Sequence, residues 1–394
     1  GKYGLLRGSD LMAVALRSRA MSPMNVPGWQ CLCCKSAWVV GYPDFKKSIA
    51  GLCRMSGAGV SGASGALLCS LCSHKRQGRT LRPLHTKGAG TAQEIDIWSF
   101  NLRTELVTED DLENSWQKRR DGVAALLCKY RPAIVCAQEA TVAMLSYLSS
   151  KSGYDWKGIS RQPGHPDECA GFLFDSKQVE LLDHSAFWLR PPGVPDGHVA
   201  WDAKLPRTCE VALFKIGNSS SDELKVRVLN THFDHEGILA RSNSAALITD
   251  ALGKFKEKEP TCPQILCGDF NSPKSSEAYS LLAKELQDVF KSAPDLCTSG
   301  ARSTIHKWQG LSFKEVMGDG TVDLSGELEK SKDEDTRHID WILWQNGPTQ
   351  FQSTQLQPVR CRVVSDTLAN GRYPSDHFPL SATFLVSFTS VQSR

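Results

Sequence analysis

Short apolar runs recur along the chain from residue 94 onwards, and most of them end in polar residues. The runs read "IDIWSFN" (95–101), "AIVCAQE", "AGFLFD", "EVALFK", "LKVRVLNTHF", "QILCGDFN", "HIDWILW" and "HFPLSATFLVSF". Runs of this length that are rich in Val, Ile and Phe predict buried β-strands. About eight strands with few helices between them argue against regular βαβ alternation. They favour an α+β fold in which sheets pack together with helices outside.

Two segments show apolar residues at helical spacing. The first follows a candidate cap, Ser115, and is closed by Pro132. The second lies between two strand-like runs and is marked by Ile248, Leu252 and Phe255. Both patterns predict amphipathic helices that cover a sheet.

Charge divides the chain into two parts. Residues 1–92 contain 13 Lys and Arg against two acids, a net charge of +11, whereas the remainder sums to −8. Two segments of such different sign are not expected to form one compact unit. We therefore predict a basic extension of low order (1–92), a catalytic domain (93–389) and a short tail (390–394).

The basic extension admits several interpretations. Its Gly, Ser, Ala and Arg content, with few acids, resembles an organelle transit segment, for a plastid or mitochondrion, although it is long for one. A disordered extension, and an arm that binds nucleic acid through its charge, are alternatives. Cys31-x-x-Cys34 and Cys69-x-x-Cys72 form a formal zinc set, but their separation exceeds that of a zinc ribbon.

Cysteine usage bears on the compartment. Eight of the 14 cysteines lie beyond residue 92, mostly inside apolar runs, which is typical of buried free thiols and of an intracellular, reducing location. No apolar run reaches 18 residues, so no transmembrane helix is predicted.

Polar residues at the ends of the predicted strands are the candidates for chemistry. They occur in the blocks "QE", "NTHFDH", "GDFN", "HID" and "SDH", in that order along the chain. A carboxylate at a strand end can be held rigidly and still reach solvent, as a metal or catalytic site requires. Hard oxygen ligands favour Mg²⁺ or Mn²⁺, and the lack of clustered His and Cys ligands disfavours zinc. No G-x-S-x-G elbow or phosphate-binding glycine loop is present.

These blocks are similar to the signatures of the endonuclease/exonuclease/phosphatase superfamily, which includes pancreatic deoxyribonuclease. The resemblance rests on "SFNLR", "AQEA", "NTHFDH", "GDFNS", "HIDWIL" and "YPSDHFP", and it covers about residues 94–388. Blocks such as "NSWQKRR", "WDAKLPRTC" and "GRYPSDHFP" resemble an uncharacterised, largely microbial subgroup. The resemblance implies a DNase I-like four-layer α/β/β/α sandwich, two mixed sheets with helices outside. It places the active site at one rim, where strand ends converge.

Roles follow from the resemblance residue by residue. It implies that Glu139, with Asn101 and Asp376, holds the metal ion. Asp269 would orient or deprotonate the attacking water, and Asn271 would contact the phosphate.

The same resemblance gives roles to two histidines. His377 would face the scissile phosphate with Asp340 as its partner. His232 would be the second phosphate-facing histidine, paired with Glu168, where the residue before it is Asp167 instead of the usual Gly. Candidate substrate contacts are Arg207, Arg241, Asp234 and Trp201. The alternative for the two arginines is an ion pair with a nearby acid, for Asp234 it is support of His232, and for Trp201 it is a place in the apolar core.

The resulting hypothesis is a Mg²⁺-dependent phosphoesterase, a nuclease or a phosphatase, acting as a monomer by metal-assisted in-line attack of water. The alternative is a catalytically inactive binding module that keeps the fold. The charge of −8 on the catalytic part disfavours a processive nuclease and favours small phosphoesters or nucleic-acid ends, with lipid headgroups a further option. The acidic stretch 311–337 is predicted to be a surface loop that either shapes access to the site or is inert.

Overall fold

The computed structural model describes residues 28–30, 37–39, 92–217, 224–292, 303–312, 338–348 and 353–389. The chain divides into two units, Gly1–Lys87 and Gly88–Arg394. In the first, β1 (Gly28–Gln30) pairs antiparallel with β2 (Ala37–Val39). The predicted transit segment, both Cys-x-x-Cys pairs, the acidic loop beyond residue 312 and the tail lie outside the described residues.

The second unit is built on two six-stranded sheets. Its strands are β3 (Gln93–Asn101), β4 (Ile134–Gln138), β5 (Asp155–Lys157), β6 (Phe172–Phe174), β7 (Val179–Trp188), β8 (Thr208–Ile216), β9 (Lys225–His232), β10 (Gln264–Asp269), β11 (Gln287–Asp288), β12 (Asp340–Gln345), β13 (Ser353–Val363) and β14 (Leu380–Thr389). Sheet one has the order β13-β14-β3-β4-β6-β5, and sheet two has the order β11-β12-β10-β9-β8-β7. Both sheets are mixed, because β3/β4 and β9/β10 pair parallel while the other pairs are antiparallel.

Helices cover the outer faces. They are α1 (Trp116–Tyr130), α2 (Val142–Ser152), α3 (Ile238–Lys258), α4 (Glu277–Leu282) and α5 (Val289–Ser292). Ser115 occupies the N-cap position of α1 as predicted, but its side chain makes no cap hydrogen bond. Thr141 caps α2 by accepting from the amide of Met144, and Gly153 ends that helix in a left-handed conformation (φ 73°).

Three apolar clusters separate the layers. One lies between the sheets and includes Ile134, Phe214 and Phe384. A second packs α1 and α2 against sheet one around Leu127, and a third packs α3 and α4 against sheet two around Trp341. Since side chains alternate across a strand, each sheet buries both of its faces. The predicted four-layer α/β/β/α sandwich is therefore confirmed.

Among the described residues, the cysteines depart from prediction at two positions, Cys128 and Cys361. Cys128, Cys136, Cys169, Cys209, Cys262 and Cys267 are free thiols, and all but Cys128 are buried. Cys361 on β13 is disulfide-bonded, so the expectation of a free thiol there is wrong. The eight cysteines beyond residue 92 showed no regular disulfide framework, and burial alone does not distinguish a thiol from half of a disulfide.

No helix among the described residues is both long and apolar enough to cross a lipid bilayer.

Candidate active site at the strand ends

The two central parallel pairs bring polar side chains together at one rim of the sandwich. Asn101 is the last residue of β3, and Glu139 follows β4 directly. In sheet two, Asp269 ends β10, level with His232 on β9 and with Asp340 on β12. Because neighbouring parallel strands end at the same edge, the sequence blocks that carry these residues meet in space.

Asn101 connects the two sheets at this rim. Its Nδ2 donates to Glu139 Oε1 at 3.0 Å and to Asp269 Oδ2 at 2.9 Å. Its Oδ1 accepts from the amide of Arg103 at 2.9 Å, and the amide of Thr104 donates to Glu139 Oε2 at 3.0 Å. One buried amide group thus fixes a carboxylate from each sheet.

Sharp backbone turns aim these side chains. Glu139 (φ 54°), Asn271 (φ 46°) and Arg103 (φ 55°) all adopt the left-handed region that residues other than glycine rarely occupy. Such a conformation costs about 1–3 kcal/mol per residue and persists where surrounding contacts enforce it. All three residues lie just past strand ends that carry site residues.

Glu139 and Asp269 differ in protonation. Burial opposes ionisation of Glu139, but the charge of Arg103 and the hydrogen bonds from Asn101 and Thr104 outweigh it and lower its pKa. Burial and the nearby Asp340 raise the pKa of Asp269 to about 7. Near neutral pH, Glu139 is ionised and Asp269 can accept a proton.

The two histidines also differ in charge. Burial would lower the pKa of His377, but Asp340 and Asp269 outweigh that effect and raise it to about 10. His377 Nδ1 lies 2.9 Å from Asp340 Oδ2, so the charged ring donates there. Burial and the charges of Arg207 and Arg161 lower the pKa of His232 well below its usual value. Neutral His232 accepts at Nε2 from Asn271 Nδ2 at 3.0 Å.

A candidate cation site spans the two sheets at the rim, and of the three predicted metal ligands it includes Glu139. Potential ligand atoms of Glu139, His232 and Asp269 lie within 4.8 Å of one another. Carboxylate oxygens dominate this donor set, which suits a hard divalent cation. Asp376, the third predicted ligand, lies beside Arg103, whose Nε is 3.8 Å from Asp376 Oδ2.

A buried carboxylate, Asp234, organises the loop beside His232. It is 2% exposed, and it accepts from the backbone amides of Lys204, Leu205, Glu236 and Gly237. Burial raises its pKa, but those amides and Arg207 outweigh burial and lower it to about 2. The sequence left two roles open for Asp234, contact with substrate and support of His232. Because its oxygens are occupied by these donors, it is better described as a positioning residue.

The other predicted substrate contacts lie around this loop. Arg207 is buried, with Nε 3.4 Å from Asp234 Oδ2 and Nη2 3.1 Å from His235 Nδ1. Arg241, also buried, donates to the Asp234 carbonyl at 3.1 Å. Trp201 lies in the segment between β7 and β8, where it is half-buried and adopts a left-handed conformation (φ 54°).

A narrow open cleft adjoins His232, lined by Arg161, Glu168, Cys169, Ala170, Arg207 and Thr208. Within it, Glu168 Oε2 accepts from Arg161 Nη1 at 2.8 Å. The structure therefore pairs Glu168 with Arg161 and not with His232. Asp167, the residue that departs from the subgroup pattern, binds the same guanidinium at 2.9 Å, so Arg161 lies between two carboxylates. Burial and the charge of Glu139 raise the pKa of Glu168 to about 7.

Besides Arg103 and Arg161, two residues of the site were missed by the sequence analysis. Arg119 on α1 is 1% exposed and donates to the carbonyls of Asn114, Leu102, Arg103 and Pro374. It thereby joins the segment after β3 to the segment before His377. Its place in "NSWQKRR" was the available signal, although a helical Arg usually faces solvent.

Thr304 is the second. Its Oγ1 accepts from the amides of Ile339 and Asp340 at 3.1 and 3.2 Å, while its carbonyl accepts from Phe378. Thr304 thus sets the start of β12 against the segment that carries His377. It begins the segment "TIHKWQG" (304–310), in which no pattern distinguishes this hydroxyl from that of a loop residue.

Comparison with known proteins agrees with this architecture. The model of the Endonuclease/Exonuclease/phosphatase family matches residues 98–377. Protein angel of Drosophila melanogaster is 26% identical over 292 residues, which cover 69% of this chain and 73% of that protein. Residues 98–377 include all of sheet two and every predicted site residue.

Solved structures share the fold. An endonuclease/exonuclease/phosphatase from Bacteroides vulgatus is 26% identical, with a TM-score of 0.58, over 74% of this chain and 98% of that chain. A mannosyl-6-phosphatase of Bacteroides thetaiotaomicron superposes with a TM-score of 0.59 at 24% identity, over 74% and 99%. Both likenesses agree with the two-sheet architecture.

Proposed function

The chain belongs to the endonuclease/exonuclease/phosphatase family, and from that premise we propose that it hydrolyses phosphoesters with a hard divalent cation such as Mg²⁺ or Mn²⁺. Members of this family are phosphoesterases. The observation that carries the proposal is the Asn101 amide, which holds an ionised Glu139 and a proton-accepting Asp269 side by side. That arrangement combines a cation ligand with a base, the two parts that metal-assisted hydrolysis needs.

The donor set fits the cation. Glu139 is the ionised carboxylate of the group, and Asn101 and Asp376 are proposed as further oxygen ligands. When bound, the cation would polarise a phosphoryl oxygen and neutralise charge that develops there. The nearby Arg103 adds a fixed positive charge on the same side.

Asp269 is proposed to orient and deprotonate the attacking water. Its raised pKa makes it a stronger base than an ordinary carboxylate. The backbone N–H of Asn271 donates to Asp269 Oδ1 at 2.9 Å, which fixes the direction of the carboxyl group. The proton then moves from water to Asp269 as the oxygen attacks phosphorus, and the bond between phosphorus and the leaving-group oxygen breaks, so that this oxygen departs and is protonated.

Charged His377 is proposed to donate to a phosphoryl or leaving-group oxygen. Its Nε2 is 3.8 Å from Asp269 Oδ2, so it faces the same space as the base. Buried Arg207 is proposed as a further donor to the phosphate. Asn271 Nδ2 donates to His232 Nε2 and to the Phe233 carbonyl, so it would exchange one of these bonds to contact the phosphate. Donors fixed before the reaction stabilise developing charge without reorganisation.

The substrate is proposed to be a small phosphoester or a nucleic-acid end. Residues 93–394 carry a net charge of −8, which disfavours long contacts with a duplex phosphate backbone.

The test combines three variants with one control. Glu139→Ala, Asp269→Asn and His377→Ala are each expected to reduce hydrolysis of bis-p-nitrophenyl and p-nitrophenyl phosphate in Mn²⁺ by about 10³-fold or more. Asp250→Asn, an exposed acid on α3, is the control and retains wild-type activity. Hydrolysis unchanged in all three variants would reject these roles.

A screen with nucleotides, sugar phosphates, phosphoinositides and single-stranded RNA then identifies the substrate class. Wild-type protein that binds Mn²⁺ and ligands but hydrolyses none of them would instead be an inactive binding module. Metal titration by calorimetry separates these outcomes from a fold that binds no cation.

A further inference from the structure

A polar group lies between the two sheets directly beneath the site. Gln138, Asn230 and Ser99 are fully buried there, with no exposed surface. The surrounding inter-sheet cluster is apolar, with Cys136, Phe172 and Cys267 among its members. Buried amides are costly unless their hydrogen bonds are made, so a polar group at this position calls for an explanation.

The amides of Gln138 and Asn230 bind each other across the sheets. Gln138 Nε2, on β4 of sheet one, donates to Asn230 Oδ1, on β9 of sheet two, at 2.7 Å. Asn230 Nδ2 in turn donates to the carbonyls of Ala137 at 3.0 Å and Gly171 at 2.8 Å, both in or next to strands of sheet one. The pair therefore makes three directional bonds between the sheets.

The position of this pair along the strands relates it to the site. Gln138 immediately precedes Glu139, and Asn230 lies two residues before His232. At about 3.3 Å per residue, both site residues lie within about 7 Å of chain from the pair. Apolar contacts between sheets are non-directional, whereas a hydrogen-bonded amide pair defines both distance and orientation.

We propose that the Gln138–Asn230 pair positions the residues of sheet one against those of sheet two for catalysis. Glu139 and Asn101 on one side would then meet Asp269 and His232 on the other at a fixed spacing. The pair touches no reacting atom, so its two members are positioning residues. This inference rests on the proposed phosphoesterase function, and its test includes readouts that do not need activity.

The decisive variant replaces both amides with apolar side chains of similar size, Gln138→Met with Asn230→Leu. Removing both partners of a buried polar pair is often near neutral for stability, whereas removing one leaves the other unsatisfied. We expect the double variant to unfold within a few degrees of the wild type. We also expect it to lose roughly 10-fold or more in kcat, since small displacements of catalytic groups are costly.

The chain offers a matched control at the other end of the sandwich. Asn346, just after β12 in sheet two, donates to the carbonyl of Leu356 on β13 at 3.0 Å and accepts from its amide at 2.8 Å. This amide also joins the two sheets, but β12 runs away from the rim, so Asn346 lies far from Asp340. Asn346→Leu should lower the unfolding temperature and leave the kcat of the folded protein unchanged.

The second readout is structural. In a crystal structure of the double variant, the 2.9 Å bond from Asn101 Nδ2 to Asp269 Oδ2 should lengthen or be lost. Mn²⁺ affinity should fall several-fold, as measured by calorimetry. If the wild type proves inactive, the proposed function fails and these two measurements still decide the positioning role.

The proposal is overturned if the folded double variant keeps wild-type kcat, or if its kcat falls no more than that of Asn346→Leu. It is equally overturned if the Asn101–Asp269 bond is unchanged in the crystal. A loss of stability without any change in kcat would show that the pair contributes to folding alone.

Discussion

Glu139 and Asp269 are two buried carboxylates that share one hydrogen-bond donor, yet their pKa values move in opposite directions. The difference comes from their neighbours. Glu139 lies near the Arg103 guanidinium and accepts from a backbone amide, whereas Asp269 lies near another acid, Asp340. The sheet-one side of the rim is thus suited to bind a cation, and the sheet-two side is suited to accept a proton. Opposed carboxylate environments of this kind assign separate roles within one site.

The strongest way to break this comparison is to neutralise each carboxylate in turn. Asp269→Asn should lower kcat by about 10³–10⁴-fold while Mn²⁺ affinity changes only a few-fold, because the base is lost and the main ligand remains. Glu139→Gln should lower Mn²⁺ affinity far more. Calorimetric titration of both variants beside steady-state kinetics measures the two effects. Equal losses of Mn²⁺ affinity would mean that the two sides are not distinct.

A second test sharpens the electrostatics of the sheet-two side. Asp340→Asn removes the carboxylate that contributes most to the raised pKa of His377, about 10 in the wild type. The charged form of His377 should then be lost at lower pH. We expect activity of the variant to fall at least about 10-fold between pH 7 and pH 9, a range over which the wild type stays active. Parallel pH–rate profiles in the two proteins would contradict this.

A third test concerns the loop that borders His232. Asp234→Asn should destabilise the fold by about 2 kcal/mol at pH 7, because the native state lowers the pKa of Asp234 to about 2. A lowered folded-state pKa gives stability that is present above the unfolded value near 4 and is lost as pH falls towards 2. Urea unfolding of both proteins should therefore show a gap that narrows between pH 5 and pH 2. A gap that does not change with pH would exclude this cause.

The smallest expected effect separates two interpretations of Glu168. If its partner is Arg161, as the 2.8 Å contact indicates, Glu168→Gln keeps an acceptor for Arg161 and should change kcat by less than about 10-fold. If Glu168 instead acts through His232 during catalysis, a loss of about 100-fold is expected. Steady-state kinetics at pH 6 and pH 8 distinguish the two.

The sequence analysis predicted the interior of the fold better than its margins. The predicted apolar runs correspond to β3, β4, β6, β8, β9, β10, β12 and β14, whereas β5, β7, β11 and β13 were not predicted. Those four are the edge strands of the two sheets. Edge strands pair on one side only and alternate irregularly between buried and exposed residues, as β7 does. They therefore lack the continuous apolar run that marked the others.

The candidate site shows a similar division. Strand-end placement was enough to predict that Asn101, Glu139 and Asp269 meet, because strand geometry determines where a strand ends. It could not predict that Arg161 would bind Glu168. Arg161 lies in a loop with no periodicity, and the contact depends on how that loop folds. Arg119 was missed for a different reason. Its hydrogen bonds to four backbone carbonyls depend on tertiary packing, and the helical pattern alone does not distinguish it from a solvent-exposed arginine.

The ladder between β10 and β12 has a consequence for how this protein can vary. Asp269 and Asp340 stand opposite each other because six consecutive residue pairs, from Gln264↔Gln345 to Asp269↔Asp340, set the register. The length of the chain between Ser312 and His338 does not enter that register. Insertions or deletions within 313–337 can therefore accumulate while Asp340 stays beside His377, whereas a shift of one residue inside β12 would turn its carboxylate to the opposite face of the sheet.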